Sequence, residues 1–183
     1  MDALKKTEKL REILSQTSSV DADAAVCLLL RVVDQALTVL LVRRTENPTD
    51  PWSGQIALPG GKRSQQDQTL KQTVIREVLE ETGITLSDHS QFLGVLPIST
   101  SVSGPKLRVL PFIFSIDYEP SVSLNSELQD FFWIQIDKLG EHRQAVDLAF
   151  GQLPAFVIKD NIIWGLTCRI LESLLEAIDL LSR

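Results

Sequence analysis

The chain reads Leu-Pro-Gly-Gly at residues 58–61 and Arg-Glu-Val-Leu-Glu-Glu-Thr-Gly-Ile at residues 76–84, with a polar loop between them. We predict a helix over residues 68–82, because Asp67 or Thr69 is available to cap its start and Gly83 lies just past its end. A glycine pair alone is common in loops. The same pair followed at this spacing by an acidic helix is a far more specific signal.

Three carboxylates share one stripe of the predicted helix. At about 100° per residue, Glu77, Glu80 and Glu81 lie within an arc of about 100°, beside the apolar face. Carboxylates this close repel each other, and a hard divalent cation such as Mg²⁺ or Mn²⁺ relieves the repulsion because it prefers oxygen ligands. The Gly60-Gly61 bend permits close backbone approach, so a glycine carbonyl is available to the same ion. A solvated acidic face is the alternative interpretation of the glutamates taken alone.

Length and composition limit the classes of function. The 183 residues, 44% of them hydrophobic, predict a single domain over residues 1–183, with residues 1–20 as an N-terminal helical extension. A net charge of −6 argues against nucleic-acid binding. The longest apolar run, residues 24–30, is too short to span a membrane. Two cysteines in apolar runs and a polar N-terminus favour a cytosolic location.

The remaining pattern predicts a mixed α/β architecture. Strands are expected at residues 24–33, 36–42, 55–58, 92–98, 109–116 and 131–136, with a hairpin over 153–163. Pro59-Gly60-Gly61 is expected to end the strand at 55–58. Further helices are expected at 3–15 and 166–181, and the leucines of the last one fit a core or a homodimer face. These elements fit a mixed β-sheet sandwiched between α-helices.

The joint motif resembles that of the Nudix hydrolase family. Gly61, Asp67 and residues 76–84 fill the family's pattern of a glycine, an acid and then Arg-Glu-aliphatic-x-Glu-Glu-x-Gly-aliphatic. Asp67 replaces the commoner glutamate, and the spacing from it to the arginine is one residue longer than usual. Both departures resemble the coenzyme A pyrophosphatase branch. Segments 40–45, 52–61, 104–111 and 163–167 are also similar to that branch, although Trp52-Ser53 stands where it usually carries a histidine.

The resemblance implies a Nudix-type fold and metal-dependent hydrolysis of the diphosphate bond in a nucleoside diphosphate derivative. Coenzyme A or an acyl-CoA is the first expectation for the substrate. ADP-ribose, a nucleotide sugar or a nucleoside triphosphate is the alternative. A different class, a non-catalytic nucleotide-binding sensor, fits less well because such a module needs no mutually repelling glutamates.

The resemblance also implies roles for particular residues. The expected metal ligands are Glu77, Glu80, Glu81 and the carbonyl of Gly61, with Arg76 orienting a glutamate. Either Glu81 or Glu127, which precedes the strand at 131–136, is the expected general base, and a solvated loop carboxylate is the alternative reading of Glu127. The basic residues expected to contact phosphates are Arg44, Lys62, Arg63 and Arg108.

Overall fold

The computed structural model describes residues 2–50, 52–86, 89–101, 106–148 and 151–181. The helices are α1 (Ala3–Ile13), α2 (Leu70–Thr82) and α3 (Gly165–Leu180), and a 3₁₀ helix spans Ile136–His142. The strands are β1 (Ala24–Val33), β2 (Ala36–Arg44), β3 (Ile56–Ala57), β4 (Gly60–Lys62), β5 (Ser90–Val95), β6 (Ser99–Thr100), β7 (Arg108–Ile116), β8 (Leu128–Gln135), β9 (Arg143–Leu148), β10 (Gly151–Ile158) and β11 (Asn161–Trp164).

Strand β1 is the centre of the main sheet. It pairs antiparallel with β2 through a tight turn and parallel with β7, so the sheet is mixed as predicted. The turn residues Asp34 and Gln35 have φ of 48° and 66°, the left-handed backbone that matches the twist of a two-residue hairpin. In the described part of the chain the order is β3-β2-β1-β7-β5, with β4 on β1, β6 on β7 and β8 on β2. Strands β9 to β11 form a separate antiparallel sheet.

Helices cover both faces of the main sheet. Successive residues of β1 point to opposite faces, so Cys27 and Leu29 pack with α2, while Leu28 and Leu30 pack with α1 and α3. The predicted sandwich of a mixed sheet between helices is therefore confirmed. None of the described helices is long and apolar enough to cross a membrane.

The backbone at residues 59–62 differs from the prediction. Gly60 and Gly61 do not simply end a strand, because with Lys62 they form β4, which pairs antiparallel with Ala24 to Val26 of β1. Gly60 has φ of 146°, and a Cβ there would lie 2.3 Å from the carbonyl oxygen of Ala25. Only glycine lets the two backbones come this close.

The C-terminal third is partly as predicted. The hairpin of β10 and β11 turns at Lys159, where φ is 54°, and α3 follows it directly. The prediction omitted β9 and the 3₁₀ helix. Residues 104 and 105 of the similar segment 104–111 lie outside the described residues.

Candidate active site

Local signals fix where α2 begins and ends. The hydroxyl of Thr69 accepts a hydrogen bond from the Gln72 N–H, and the Gln72 side chain accepts one from the Thr69 N–H, which forms a capping box. Gly83 ends the helix in the left-handed conformation, with φ of 70°. Val74 and Val78 are fully buried against the sheet. The caps and this apolar face together determine which way the glutamates of α2 point.

Glu81 is the most deeply buried carboxylate of the cluster, with only 5% of the residue exposed. Its Oε2 accepts a hydrogen bond of 2.8 Å from the Gly60 N–H. Burial raises its pKa to about 7, and the negative charges of Glu77 and Glu127 add to the increase, while the Gly60 N–H and the charge of Arg44 oppose it. The protein therefore holds a carboxyl group in a place that disfavours its charge.

Glu77 lies directly against the glycine strand. A Cβ added at Gly61 would lie 2.6 Å from the Glu77 carboxyl carbon, so this position has room only for glycine while Glu77 stays in place. Burial raises the pKa of Glu77, the ion pair with Arg76 opposes the increase, and the charges of Glu80 and Glu127 add to it. Burial thus disfavours the ionised forms of both Glu77 and Glu81, and a nearby cation would stabilise them.

Arg76 connects the loop before α2 to the glutamates. Its Nε and Nη2 donate to the two carboxylate oxygens of Asp67 at 3.2 and 2.9 Å, and Nη2 also donates to the Lys62 carbonyl. Its Nη1 lies 2.8 Å from Glu77 and 3.0 Å from Glu80. The Arg76 guanidinium lowers the pKa of Asp67, and Asp67 in turn raises the pKa of Arg76. This geometry orients the carboxylates that Arg76 touches.

A cleft of about 510 Å³ brings the predicted acidic residues together. Its acidic lining residues are Glu77, Glu80, Glu81 and Glu127, and its basic ones are Arg44 and Lys62. The Thr45 N–H donates to the Glu127 carbonyl, which ties the loop before β8 to the end of β2. Gly61 and Trp52 line the same cleft. Side chains from β2, β4, α2 and the loops at Trp52 and Glu127 thus meet around one volume.

Part of the cleft lining is not among the residues predicted for the site, and its α3 residues are called the α3 wall. The first turns of α3 supply Leu166, Thr167 and Ile170, and Leu107, just before β7, and Val109 of β7 also line the cleft. The similarity of segment 163–167 to the coenzyme A pyrophosphatase branch is the sequence signal that points to this wall.

The four predicted phosphate contacts divide into two pairs. Arg44 and Lys62 line the cleft. Arg63 donates instead to the carbonyls of Asp67 and Gln68, at 3.1 and 2.7 Å, and so braces the loop before α2. Arg108 forms an ion pair with Asp21. Within the described ranges, neither Arg63 nor Arg108 lies among the cleft-lining residues.

The donor set fits a hard divalent cation in its chemistry. Carboxylate oxygens are the ligands that Mg²⁺ and Mn²⁺ prefer, and burial, which raises the pKa of Glu77 and Glu81, disfavours a charge that a bound cation would stabilise. Across the described segments, no three acidic, histidine or cysteine side chains are gathered closely enough to hold one ion. Arg76 pairs with Glu77 and Glu80 in this arrangement.

Comparison with known proteins identifies the family. The NUDIX domain matches residues 21–155, so the chain belongs to the NUDIX family and is a Nudix pyrophosphohydrolase. It is 30% identical over 151 residues to the Nudix hydrolase NudL of Pectobacterium atrosepticum, covering 75% of this chain and 73% of that protein. It is also 30% identical over 144 residues to the peroxisomal coenzyme A diphosphatase ndx-8 of Caenorhabditis elegans, covering 76% and 59% respectively.

Other matches are shorter or concern the fold alone. A Schizosaccharomyces pombe protein is 43% identical over 107 residues, which cover 55% of this chain but only 32% of that protein. The crystal structure of a MutT/nudix family protein from Enterococcus faecalis superposes with a TM-score of 0.57 at 17% identity, covering 96% of this chain and 70% of that chain. Enzymes of the family generally need divalent metal cations. The cytosolic location and the homodimer stay predictions.

Proposed function

We propose that the chain hydrolyses the diphosphate bond of coenzyme A or of an acyl-CoA, with Mg²⁺ or Mn²⁺ as the cofactor. The observation that carries this proposal is the meeting of four glutamates with Arg44 and Lys62 in one cleft. The similarity to a peroxisomal coenzyme A diphosphatase supports the choice of substrate. The resemblance of segments 40–45 and 52–61 to the same branch supports it independently of the cleft.

The cleft is lined by basic side chains that suit an anionic diphosphate and by acidic side chains that suit a cation. A diphosphate is anionic, so water attack at phosphorus is slow until that charge is neutralised. Arg44 and Lys62 offer positive charge from the ends of β2 and β4. The glutamates of α2 offer oxygen ligands to a cation. A diphosphate that lies between these basic residues and a cation held by the glutamates would have its negative charge compensated from both sides.

The glutamates of α2 have different tasks in this proposal. Glu77, Glu80 and Glu81 would hold the cation, with the Gly61 carbonyl as a further ligand. When bound, a divalent cation neutralises phosphate charge and makes water a better nucleophile. Arg76 acts as the positioning residue, because its bonds to Asp67 set the orientation of the carboxylates that it touches.

Glu81 and Glu127 are the two candidates for the general base. Both line the cleft, and in the metal-free protein burial raises the pKa of Glu81 to about 7. Glu81→Gln and Glu127→Gln separate the two roles. Glu81→Gln should weaken Mn²⁺ binding in either case, because Glu81 is also a proposed ligand. If Glu127 is the base, Glu127→Gln lowers kcat strongly with Mn²⁺ affinity unchanged; if Glu81 is the base, Glu127→Gln keeps kcat close to that of the wild type.

The test is a substrate panel with Mg²⁺ or Mn²⁺ in ¹⁸O-labelled water, with the products identified by mass spectrometry. Coenzyme A, acetyl-CoA, ADP-ribose, a nucleotide sugar and a nucleoside triphosphate form the panel. We expect coenzyme A or its thioester to give a phosphopantetheine fragment and adenosine 3′,5′-bisphosphate, and the labelled product identifies the attacked phosphorus. Preferred turnover of ADP-ribose would replace the substrate. Tight nucleotide binding with no turnover of any compound would favour a sensor.

A further inference from the structure

Asp50, in the loop between β2 and β3, bonds to two residues of the cleft at once. Its Oδ2 accepts hydrogen bonds from Nε and Nη2 of Arg44, at 2.9 and 2.7 Å. Its Oδ1 accepts one of 3.0 Å from the Trp52 N–H. Arg44 and Trp52 line the cleft, whereas Asp50 is not among its described lining residues. Asp50 therefore acts on the cleft through its neighbours.

The loop is folded in a way that keeps the Asp50 carboxylate in place. The Asp50 N–H donates to the Asn47 carbonyl at 3.0 Å, and the Ser53 N–H donates to the Asp50 carbonyl at 3.1 Å. The Asn47 N–H donates to the Ser53 hydroxyl, which closes the loop on itself. Only 14% of the Asp50 side chain and 26% of the Arg44 side chain are exposed. The pair is thus sheltered enough for its geometry to matter.

Other carboxylates are available to pair with Arg44 if Asp50 is replaced. Glu81 and Glu127 line the same cleft, and the charge of Arg44 already favours the ionised form of Glu81. A guanidinium has five N–H donors, and the bonds to Asp50 use two of them. With Asp50 in place, the other donors remain able to meet a phosphate. Without it, nothing opposes the attraction of Arg44 to the buried Glu81 carboxylate and to the exposed carboxylate of Glu127.

We propose that Asp50 is a positioning residue, which ties Arg44 to the β2–β3 loop so that its guanidinium meets the substrate phosphate instead of pairing with Glu81 and Glu127. This inference rests on the proposed function, in which Arg44 contacts the diphosphate. It predicts that Asp50 affects both substrate affinity and metal affinity, and that both effects pass through Arg44.

A double-mutant cycle tests this dependence. The proteins are the wild type, Asp50→Asn, Arg44→Met and the double variant. KM and kcat are measured with coenzyme A and Mn²⁺, and Mn²⁺ affinity is measured without substrate from the electron paramagnetic resonance of the free ion. Asp50→Asn is expected to raise KM about tenfold with kcat within about threefold of the wild type, and to weaken Mn²⁺ binding about threefold. Both effects should fall below about twofold when Arg44 is methionine.

Two further variants separate restraint of Arg44 from a simple loss of charge. Asp21→Asn removes the same charge from the Arg108 pair outside the cleft lining and should leave KM and Mn²⁺ affinity as in the wild type. Asp50→Glu keeps the carboxylate on a longer side chain and should bring KM back to within about threefold of the wild type. An Asp50→Glu protein as impaired as Asp50→Asn contradicts the inference.

The cycle also separates this inference from the proposed function. Equal effects of Asp50→Asn with and without Arg44 would overturn the positioning role, as would an Asp50→Asn protein with unchanged KM and Mn²⁺ affinity. If the wild type does not hydrolyse coenzyme A, the proposed function fails. The substrate-free Mn²⁺ measurements then still decide whether Asp50 restrains Arg44.

Discussion

Replacing Glu81 by glutamine is expected to stabilise the metal-free protein at neutral and alkaline pH. Burial raises the pKa of Glu81 from its ordinary 4.5 to about 7. In the unfolded chain this group ionises at its ordinary pKa, so folding takes up a proton between the two values. Glu81 therefore contributes its full stability at acid pH, and that contribution is lost as the pH rises through about 7.

The magnitude follows from the two pKa values. At 1.36 kcal/mol for each pH unit, the complete shift corresponds to about 3 kcal/mol. The free energy of unfolding of Glu81→Gln, minus that of the wild type, should grow by about 2.5 kcal/mol from about pH 5 to about pH 8. The glutamine carbonyl oxygen is still able to accept the bond from the Gly60 N–H, so the hydrogen bond is kept and the charge is removed.

The assay is urea unfolding with EDTA, followed by tryptophan fluorescence at several pH values. Glu80→Gln is the matched control, because the Glu80 side chain on the same turn is 55% exposed and already hydrated. For Glu80→Gln, the difference in free energy of unfolding from the wild type should change much less than for Glu81→Gln, because water screens an exposed charge. If Glu81→Gln and the wild type have parallel pH dependences, burial does not disfavour the charge of Glu81 and the reasoning fails.

Three more predictions concern the same site. Gly61→Ala should lower Mn²⁺ affinity at least about tenfold, because its Cβ displaces Glu77, while its free energy of unfolding should stay within about 1 kcal/mol of the wild type. Gly60→Ala should lower the free energy of unfolding by at least about 3 kcal/mol, because φ is strained there and the Cβ meets the backbone of Ala25. Titration and urea unfolding measure both, and equal losses of stability would contradict the assignment. Asp67→Asn should lower the free energy of unfolding by about 3 kcal/mol at neutral pH, because Arg76 is left without the buried carboxylate of Asp67. This loss of stability should shrink as the pH falls below about 4, because a carboxylate whose pKa is lowered by folding stabilises the protein fully only above its unfolded pKa. An equal loss of stability at acid and neutral pH would contradict the role of the Asp67–Arg76 pair. Mn²⁺ at about a hundred times its dissociation constant should stabilise the wild type by about 2.7 kcal/mol, and EDTA should remove that gain in a thermal melt; an unchanged melt would contradict binding by the folded state.

The fold was predictable where its signals are local. The caps at Thr69 and Gly83 and the apolar spacing of α2 lie within the helix itself, so the sequence alone specifies which residues share its faces. Strand β4 was missed because a glycine pair normally ends a strand, and its pairing depends on β1, which is distant in sequence. The parallel pairing of β1 with β7 is equally non-local.

The same distinction applies to the site. Helical periodicity placed the glutamates of α2 together, and the end of β2 placed Arg44 near them. The position of Arg44 in the motif favours it over the other basic residues, whereas Arg63 and Arg108 are weaker candidates from the sequence. The structure gives those two partners in Gln68 and Asp21. The α3 wall depends on packing between elements that are distant in sequence. Asp50 and Arg44 are only six residues apart, but their pairing depends on the conformation of the loop after β2, which no periodic pattern encodes.

The most direct test of the central claim is coenzyme A hydrolysis as a function of Mn²⁺ concentration in the wild type and in Glu81→Gln. We expect no turnover with EDTA, saturable activation of the wild type, and a variant that is at least about a hundredfold slower at any Mn²⁺ concentration while remaining folded. Full turnover in EDTA, or a Glu81→Gln protein with the activation curve of the wild type, would contradict a cation held by these glutamates as the source of the activity.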